Sequence, residues 1–233
     1  MIYRSSHEKN NYGLFINHKI KETNTVSFVF VHHIENSKGV WYNNVRKILI
    51  MNIRFGTGLI IVVNVAVYIY MMILFGTTTD TNVLVYSGAM YGPAFDWTDL
   101  ITANFIHIGF AHLLSNMVSV LMLGPMLEDY LGTIRYLAIY LLSGVIACIG
   151  IYYFANDTVT AGASTAIFGL MGALAALVLT KRDHFRQHLP FAIVIIGYNL
   201  YATFQPGISI PAHIGGLVAG FALTLLATLR REN

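Results

Sequence analysis

The chain has 233 residues, of which 56% are hydrophobic and 11% charged, and its mean hydropathy is +0.62. A soluble surface carries more charge than this, so the composition indicates a membrane protein. The net charge of +3 comes from 14 basic and 11 acidic side chains, which are too few and too scattered for a nucleic-acid partner. The single cysteine, Cys148, excludes an internal disulfide.

Residues 1–55 are mostly polar and too few to bury a substantial core alone. Within them, apolar residues from Trp41 to Leu49 recur at helical spacing. This segment fits either a short helix on the inner membrane surface or a loosely ordered tail.

Six apolar runs follow, each long enough to cross a membrane as a helix, which takes about 20 residues for about 30 Å of hydrocarbon. We predict spans at residues 57–75, 108–127, 134–153, 161–180, 189–206 and 209–228. The sequence therefore predicts an all-α polytopic membrane protein with a bundle of six transmembrane helices. Its predicted parts are an N-terminal segment at 1–55, a membrane domain at 56–229 and a tail at 230–233.

The basic residues indicate the orientation of the spans, because Lys and Arg remain on the cytoplasmic side. All 14 lie before span one, between spans two and three, between spans four and five, or after span six. The alternate loops carry Asp80, Asp96, Asp99 and Asp157 but no basic residue. We therefore expect a multi-pass protein of the cell (plasma) membrane with both termini in the cytoplasm.

Polar side chains inside the hydrocarbon are costly and mark functional positions. Ser164 near the start of span four and His213 near the start of span six each lie about 6 Å below the outer interface, at about 1.5 Å of rise per residue. His112 in span two has a similar depth, and Asn116 lies one turn deeper on the same face. We expect these four groups to converge on the side away from the cytoplasm.

Small residues flank the serine and the histidine. Gly162 precedes Ser164, and Gly216 and Gly220 follow His213 on one helical face. Such residues permit close backbone approach, the condition for a hydroxyl to reach an imidazole at about 2.6 to 3.2 Å. Packing alone explains the glycines, but it does not explain a serine and a histidine at matching depths.

A serine and a histidine in contact support acyl transfer, because the imidazole takes the hydroxyl proton and later protonates the leaving amine. No Asp or Glu lies in the core of a predicted span, so we expect a Ser164–His213 dyad without an acid. His112, Asn116 and the Ser164 backbone amide are candidate oxyanion donors. His107, at the opening of span two, is expected to be supportive rather than catalytic.

Five segments, in chain order, resemble sequences of the rhomboid intramembrane serine proteases. They are SGAMYGPAF at 87–95, HIGFAHLLSN at 107–116, LGPMLEDYLG at 123–132, GASTAIFG at 162–169 and AHIGGLVAG at 212–220. The resemblance covers about residues 56–228. It implies a six-helix bundle that cleaves transmembrane proteins within or near their membrane segments.

The resemblance also implies the roles of individual residues. Ser164 would be the nucleophile, His213 the general base, and His112 and Asn116 the oxyanion donors, while His107 falls on a structural position. Span five is similar in place to the helix proposed to gate lateral substrate access. No cofactor or metal is implied, and the expected partners are transmembrane substrates and the lipid bilayer.

Three positions depart from the family pattern. Asp99 follows Trp97 and Thr98 where members commonly carry an arginine after the tryptophan. Phe168 stands where tyrosine often packs beneath the histidine, and Thr165 stands where glycine is frequent. None of these departures removes a predicted catalytic group.

Three other functions compete with the protease. A catalytically inactive relative would bind transmembrane clients, but such relatives usually lack the serine or the histidine, and this chain has both. A transporter or channel would need charged groups deep in its spans or an inverted repeat, and neither is visible. A metal site formed by His107, His112 and His213 has poor ligand spacing.

Overall fold

A computed structural model describes residues 53–155, 157–181, 185, 189–205 and 209–229. Within these ranges the chain forms eight α-helices and an isolated antiparallel bridge. The helices are α1 (Phe55–Phe75), α2 (Thr81–Tyr86), α3 (Asp99–Thr102), α4 (Phe110–Leu131), α5 (Thr133–Phe154), α6 (Ser164–Thr180), α7 (Leu189–Thr203) and α8 (Ile210–Leu229). The predicted all-α class is confirmed. The predictions for residues 1–52 and 230–233 lie outside the described residues.

The helices carry the apolar surface that a bilayer requires. Four of them are long and apolar enough to cross a membrane, namely α1, α4, α5 and the Ile210–Thr228 part of α8. The helices α6 and α7 are apolar but shorter, with 17 and 15 residues. Large apolar side chains are exposed on the outer faces, including Ile73, Ile134 and Val194. Such faces suit hydrocarbon rather than water. The chain is therefore a polytopic membrane protein. Four of the six predicted spans coincide with helices long enough to cross a membrane, and the other two coincide with the shorter apolar helices α6 and α7.

Helix α4 differs from its predicted span at both ends. It starts at Phe110 instead of 108, because the preceding Gly109 has a φ of 78° and is not helical. His107 consequently lies before the helix, so the expectation that it opens the span is wrong. At the other end the helix continues to Leu131 instead of stopping at 127.

Glu128 explains why α4 can continue past its predicted end. Its carboxylate accepts hydrogen bonds from the backbone N–H groups of Gly56 and Thr57, both at 2.8 Å. It also accepts from the hydroxyls of Thr57, at 2.9 Å, and Thr133, at 2.8 Å. A carboxylate at this place satisfies free N–H groups in the first turn of α1 and interacts favourably with the helix dipole. These bonds compensate the burial of the charge.

Two further boundaries differ from the prediction by three residues, namely the start of α6 and the end of α7. Helix α6 starts at Ser164 instead of 161, because Gly162 before it has a φ of 135°. Helix α7 ends at Thr203 instead of 206.

Helix α6 is the most buried helix of the described bundle, and α8 packs against it with backbone close to backbone. The residues of α6 are buried continuously from Thr165 to Leu174. A Cβ on Gly216 would overlap the carbonyl oxygen of Thr165, and a Cβ on Gly220 would overlap that of Gly169. These two glycines therefore allow α8 to approach α6 at a distance that no larger residue permits.

The segment between α1 and α4 contains the short helices α2 and α3 and packs against the chain just before α6. Asp80 caps α2 by accepting two backbone N–H groups of its first turn. Met90 and Thr160 form the antiparallel bridge, with both hydrogen bonds at 2.9 Å. The N–H group of Gly162 donates to the carbonyl of Ala103 at 2.8 Å. These contacts fix the backbone that leads into α6.

Asp99, which stands where the resemblance places an arginine, begins α3 and is buried. Its carboxylate accepts a hydrogen bond from the backbone N–H of Asp96 at 2.8 Å. Burial raises the pKa of the Asp99 carboxyl above its ordinary value of 3.8, although this hydrogen bond opposes the shift. The carboxylate thus takes part in folding the loop locally.

Candidate active site

Ser164 and His213 meet at the beginnings of two adjacent helices. Ser164 is the first residue of α6, and His213 lies in the first turn of α8. The Nε2 atom of His213 is 3.0 Å from the Oγ atom of Ser164, a distance at which the hydroxyl can donate to the imidazole. The structure thus brings together the two side chains that were paired by depth from the sequence.

Gly162 shapes the backbone that leads to Ser164. Its φ of 135° is a conformation that residues with a side chain rarely adopt. A Cβ at this position would lie 2.9 Å from the Nε2 atom of His112 and 3.5 Å from the Nδ2 atom of Asn116. Because Gly162 has no side chain, these two polar groups of α4 can approach the backbone beside the serine.

Asn116 presents a buried amide nitrogen that none of the described residues pairs. The side chain is 3% exposed, and its Nδ2 atom has no hydrogen-bond partner in the described part of the chain. Nearly all buried polar groups in folded proteins are paired. An unpaired donor next to a candidate nucleophile is therefore available for an oxygen that forms during a reaction. His112, one turn earlier on the same helix, is partly exposed, and its ring also lies beside Gly162.

His107 contacts the backbone before Ser164 rather than Ser164 itself. Its Nδ1 atom is 3.2 Å from the carbonyl oxygen of Phe105, and its Nε2 atom accepts the N–H of Ala163 at 3.4 Å. Burial, with a smaller contribution from neighbouring His112, lowers the pKa of His107 to about 3. The ring is therefore neutral at physiological pH, as acceptance by Nε2 requires.

Two further side chains hold His213. Phe168 stacks on the imidazole with ring centroids 4.1 Å apart and an interplanar angle of 10°. The Oγ1 atom of Thr203, the last residue of α7, is 2.9 Å from the Nδ1 atom of His213. Sequence analysis did not identify Thr203, because a threonine at the end of an apolar helix carries no signal that separates it from other threonines.

Thr165, where the resemblance places a glycine, uses its hydroxyl to anchor the start of α6. The Oγ1 atom donates to Oδ1 of Asn104 at 2.6 Å. The amide of Asn104 in turn donates to the carbonyl of Leu100 at 2.9 Å. This pair joins the helix that bears Ser164 to the segment before α4. Asn104 was also missed by the sequence analysis.

The described residues contain no group of three or more His, Cys, Asp or Glu side chains that could hold a metal ion. The rings of His107 and His112 lie edge to face with centroids 5.3 Å apart, whereas His213 contacts Ser164 and Thr203. The arrangement thus gives no support to the metal-site alternative. Its geometry suits a serine nucleophile beside a histidine base.

Comparison with known proteins agrees with this geometry. A family model described as Rhomboid domain matches residues 94–230. The chain is 36% identical over 160 residues to YdcA of Bacillus subtilis (strain 168), a candidate rhomboid protease, and the match covers 67% of this chain and 77% of YdcA. It is 38% identical over 151 residues to Rhomboid protease GluP of the same organism, covering 63% of this chain and 30% of GluP.

A plant relative extends the comparison. The chain is 38% identical over 136 residues to RHOMBOID-like protein 7 of Arabidopsis thaliana, covering 57% of this chain and 44% of that protein. The chain thus spans most of YdcA but less than half of the length of the other two relatives. Because the family model matches more than half of the sequence and includes Ser164 and His213, the chain belongs to the rhomboid family.

Proposed function

We propose that the chain is an intramembrane serine endopeptidase that cleaves transmembrane proteins within or near their membrane segments. The observation that carries the proposal is the 3.0 Å contact between Oγ of Ser164 and Nε2 of His213. Two relatives whose names describe rhomboid proteases support the same reaction class. The proposed dyad has no acid partner, since the hydrogen-bond partners of His213 among the described residues are the hydroxyls of Ser164 and Thr203.

In the acylation step, Oγ of Ser164 attacks the carbonyl carbon of the scissile peptide. The hydroxyl proton passes to Nε2 of His213 as the C–O bond forms, and the carbonyl electron pair moves onto the oxygen. When the tetrahedral intermediate collapses, the C–N bond breaks and the imidazolium protonates the leaving amine. A water molecule then repeats the sequence on the acyl ester and releases the carboxylate product.

The oxyanion of this intermediate needs donors that are already in position. We assign this role to the side chains of His112 and Asn116 together with the backbone N–H of Ser164. The two side chains lie beside Gly162, and the amide nitrogen of Asn116 has no hydrogen-bond partner among the described residues. Preorganised donors of this kind contribute more in a site with little water than they do in bulk solvent.

The membrane setting restricts the substrates. A peptide bond inside a helix is shielded by the helix hydrogen bonds, so a substrate must unwind locally before Ser164 can attack. We therefore expect preferred substrates to carry small or helix-destabilising residues near one end of their span. The distribution of Lys and Arg supports an orientation with both termini in the cytoplasm and the dyad toward the opposite side, and we propose that the membrane is the plasma membrane.

The proposal is tested by incubating purified protein in detergent with a labelled single-span substrate. Wild-type protein should cut the substrate near the outer boundary of its span, whereas Ser164→Ala and His213→Ala should not. Cleavage that survives Ser164→Ala removes the nucleophile assignment. If wild-type protein cuts none of several substrates and does not react with a fluorophosphonate probe, the chain is instead a non-catalytic protein that binds transmembrane clients.

A further inference from the structure

We propose that Thr203 is a positioning residue for His213, and that its hydroxyl oxygen accepts a hydrogen bond from Nδ1–H and so keeps Nε2 free to take the proton of Ser164. The inference rests on the proposed protease function and deepens it. The hydroxyl of Thr203 contacts Nδ1 of His213 and the carbonyl of Asn199, so in this proposal it acts through the histidine.

The hydroxyl of Thr203 has a single hydrogen, and it can donate only one hydrogen bond. Oγ1 of Thr203 lies 2.9 Å from the backbone carbonyl oxygen of Asn199. A carbonyl only accepts, so the hydroxyl is the donor in that contact. The same Oγ1 atom is 2.9 Å from Nδ1 of His213. With its hydrogen used, the oxygen can act only as an acceptor there, and Nδ1 must carry a proton.

The tautomer of a neutral imidazole follows from this assignment. A neutral ring has one protonated nitrogen and one with a free lone pair. If Nδ1 of His213 carries the proton, the lone pair is on Nε2, which is 3.0 Å from Oγ of Ser164. The opposite tautomer would point an N–H at the serine and could not accept its proton. The hydroxyl of Thr203 therefore selects the form of His213 that acts as a base.

Stacking on Phe168 does not make this selection. The two rings are nearly parallel, with an angle of 10°, so Phe168 fixes the plane of the imidazole. A stacked aromatic ring does not distinguish one ring nitrogen from the other. Rotation within that plane, and the choice of tautomer, are left to the groups at its edge, which are the hydroxyls of Thr203 and Ser164.

The helix that carries Thr203 is itself tied to the oxyanion side of the site. The amide of Asn199 donates to the hydroxyl of Ser119 on α4 at 3.0 Å, and Ser119 donates to the carbonyl of Ser115 at 3.0 Å. Helix α4 also bears Asn116. Polar contacts thus join α7 to both α4 and α8. Thr203, which is buried, makes the contact with α8 through His213.

The test compares Thr203→Val, which keeps the shape but removes the hydroxyl, with Thr203→Ser, which retains it. Thr228→Val is the matched control, because Thr228 is a buried threonine of α8 whose hydroxyl donates to the carbonyl four residues earlier at 2.9 Å. Each variant is assayed for kcat and KM on a single-span substrate. In parallel, nitrogen-15 NMR of histidine-labelled wild type and Thr203→Val identifies the His213 tautomer, with His213→Ala used to assign the signal.

We expect Thr203→Val to lower kcat about tenfold with KM unchanged, which is the effect of one hydrogen bond of ordinary net strength. Thr203→Ser should restore most of the rate, and Thr228→Val should match wild type. In wild type the proton should be on Nδ1, and in Thr203→Val the Nε2-protonated form should gain population.

Two results overturn the inference. One is a wild-type kcat in Thr203→Val, and the other is an NMR spectrum that places the wild-type His213 proton on Nε2. Failure of the protease proposal is distinguishable from either result. Wild-type protein that neither cleaves substrates nor reacts with a fluorophosphonate refutes the protease function, while the tautomer of His213 is still decided by NMR.

Discussion

Asn116→Ala should separate catalytic loss from structural loss, because the amide nitrogen of Asn116 is buried but unpaired among the described residues. Removing one preorganised oxyanion donor lowers kcat by about 10²- to 10³-fold. Because the donor acts in the transition state and not in substrate binding, KM should change little. The assay is steady-state cleavage of a fluorogenic single-span substrate in detergent.

The same substitution should have little effect on stability. A buried polar group without a partner costs about 1 to 3 kcal/mol, so its removal offsets the packing lost with the side chain. We expect the free energy of unfolding of Asn116→Ala to stay within about 1 kcal/mol of wild type. Thermal unfolding of the purified protein provides the measurement.

Asn104→Ala is the matched control for the stability argument. Asn104 is as buried as Asn116, but it accepts from Thr165 at 2.6 Å and donates to Leu100 at 2.9 Å. Its removal leaves both partners unpaired and should lower the free energy of unfolding by about 2 kcal/mol. Wild-type kcat in Asn116→Ala would refute the oxyanion assignment. Equal destabilisation in the two variants would refute the argument from the unpaired donor.

Three further substitutions test the fold around the site. Glu128→Gln replaces one acceptor oxygen by an NH₂ group, so two of the four hydrogen bonds that the carboxylate accepts, such as those from the backbone and hydroxyl of Thr57, are lost. The free energy of unfolding should fall by about 3 kcal/mol, seen as a lower Tm. Gly220→Ala inserts a Cβ into the backbone of α6, whereas a Cβ on Gly150 meets nothing within 4 Å. Gly220→Ala should therefore lower Tm and abolish cleavage, whereas Gly150→Ala should preserve both the Tm and the cleavage activity. Because burial raises the pKa of Asp99, the folded state holds this proton more tightly than the unfolded chain, and stability falls as pH rises from the ordinary value of 3.8 through the higher pKa of the folded state. Asp99→Asn should consequently raise Tm at about pH 7 and leave it unchanged at about pH 3, and a Tm gain that persists in acid would contradict this assignment.

The six apolar helices were predictable because long apolar runs in a sequence indicate helices of a membrane protein directly, and four of them are long enough to cross a membrane. The boundaries of these helices were less predictable. The end of α4 depended on Glu128, whose charge is compensated by groups of α1 that lie 71 and 72 residues away in sequence. A rule based on uncharged runs cannot anticipate such compensation.

The pairing of Ser164 with His213 followed from equal depth in two glycine-lined helices, since depth can be read from sequence. The contacts of Thr203 and Asn104 could not be read in this way. They depend on how each helix is rotated about its axis and on the path of the loop before α4, which are set by tertiary packing. Both residues are ordinary polar side chains in the sequence, and only their neighbours in space give them a role.

The most direct test of the central claim is the rate at which a fluorophosphonate labels the protein, read by mass spectrometry. The account predicts a single adduct on Ser164 in wild type, no adduct in Ser164→Ala, and labelling slowed by orders of magnitude in His213→Ala, because the base that activates the hydroxyl is gone. An adduct that forms on another residue, or labelling of Ser164 at the wild-type rate without His213, would contradict it.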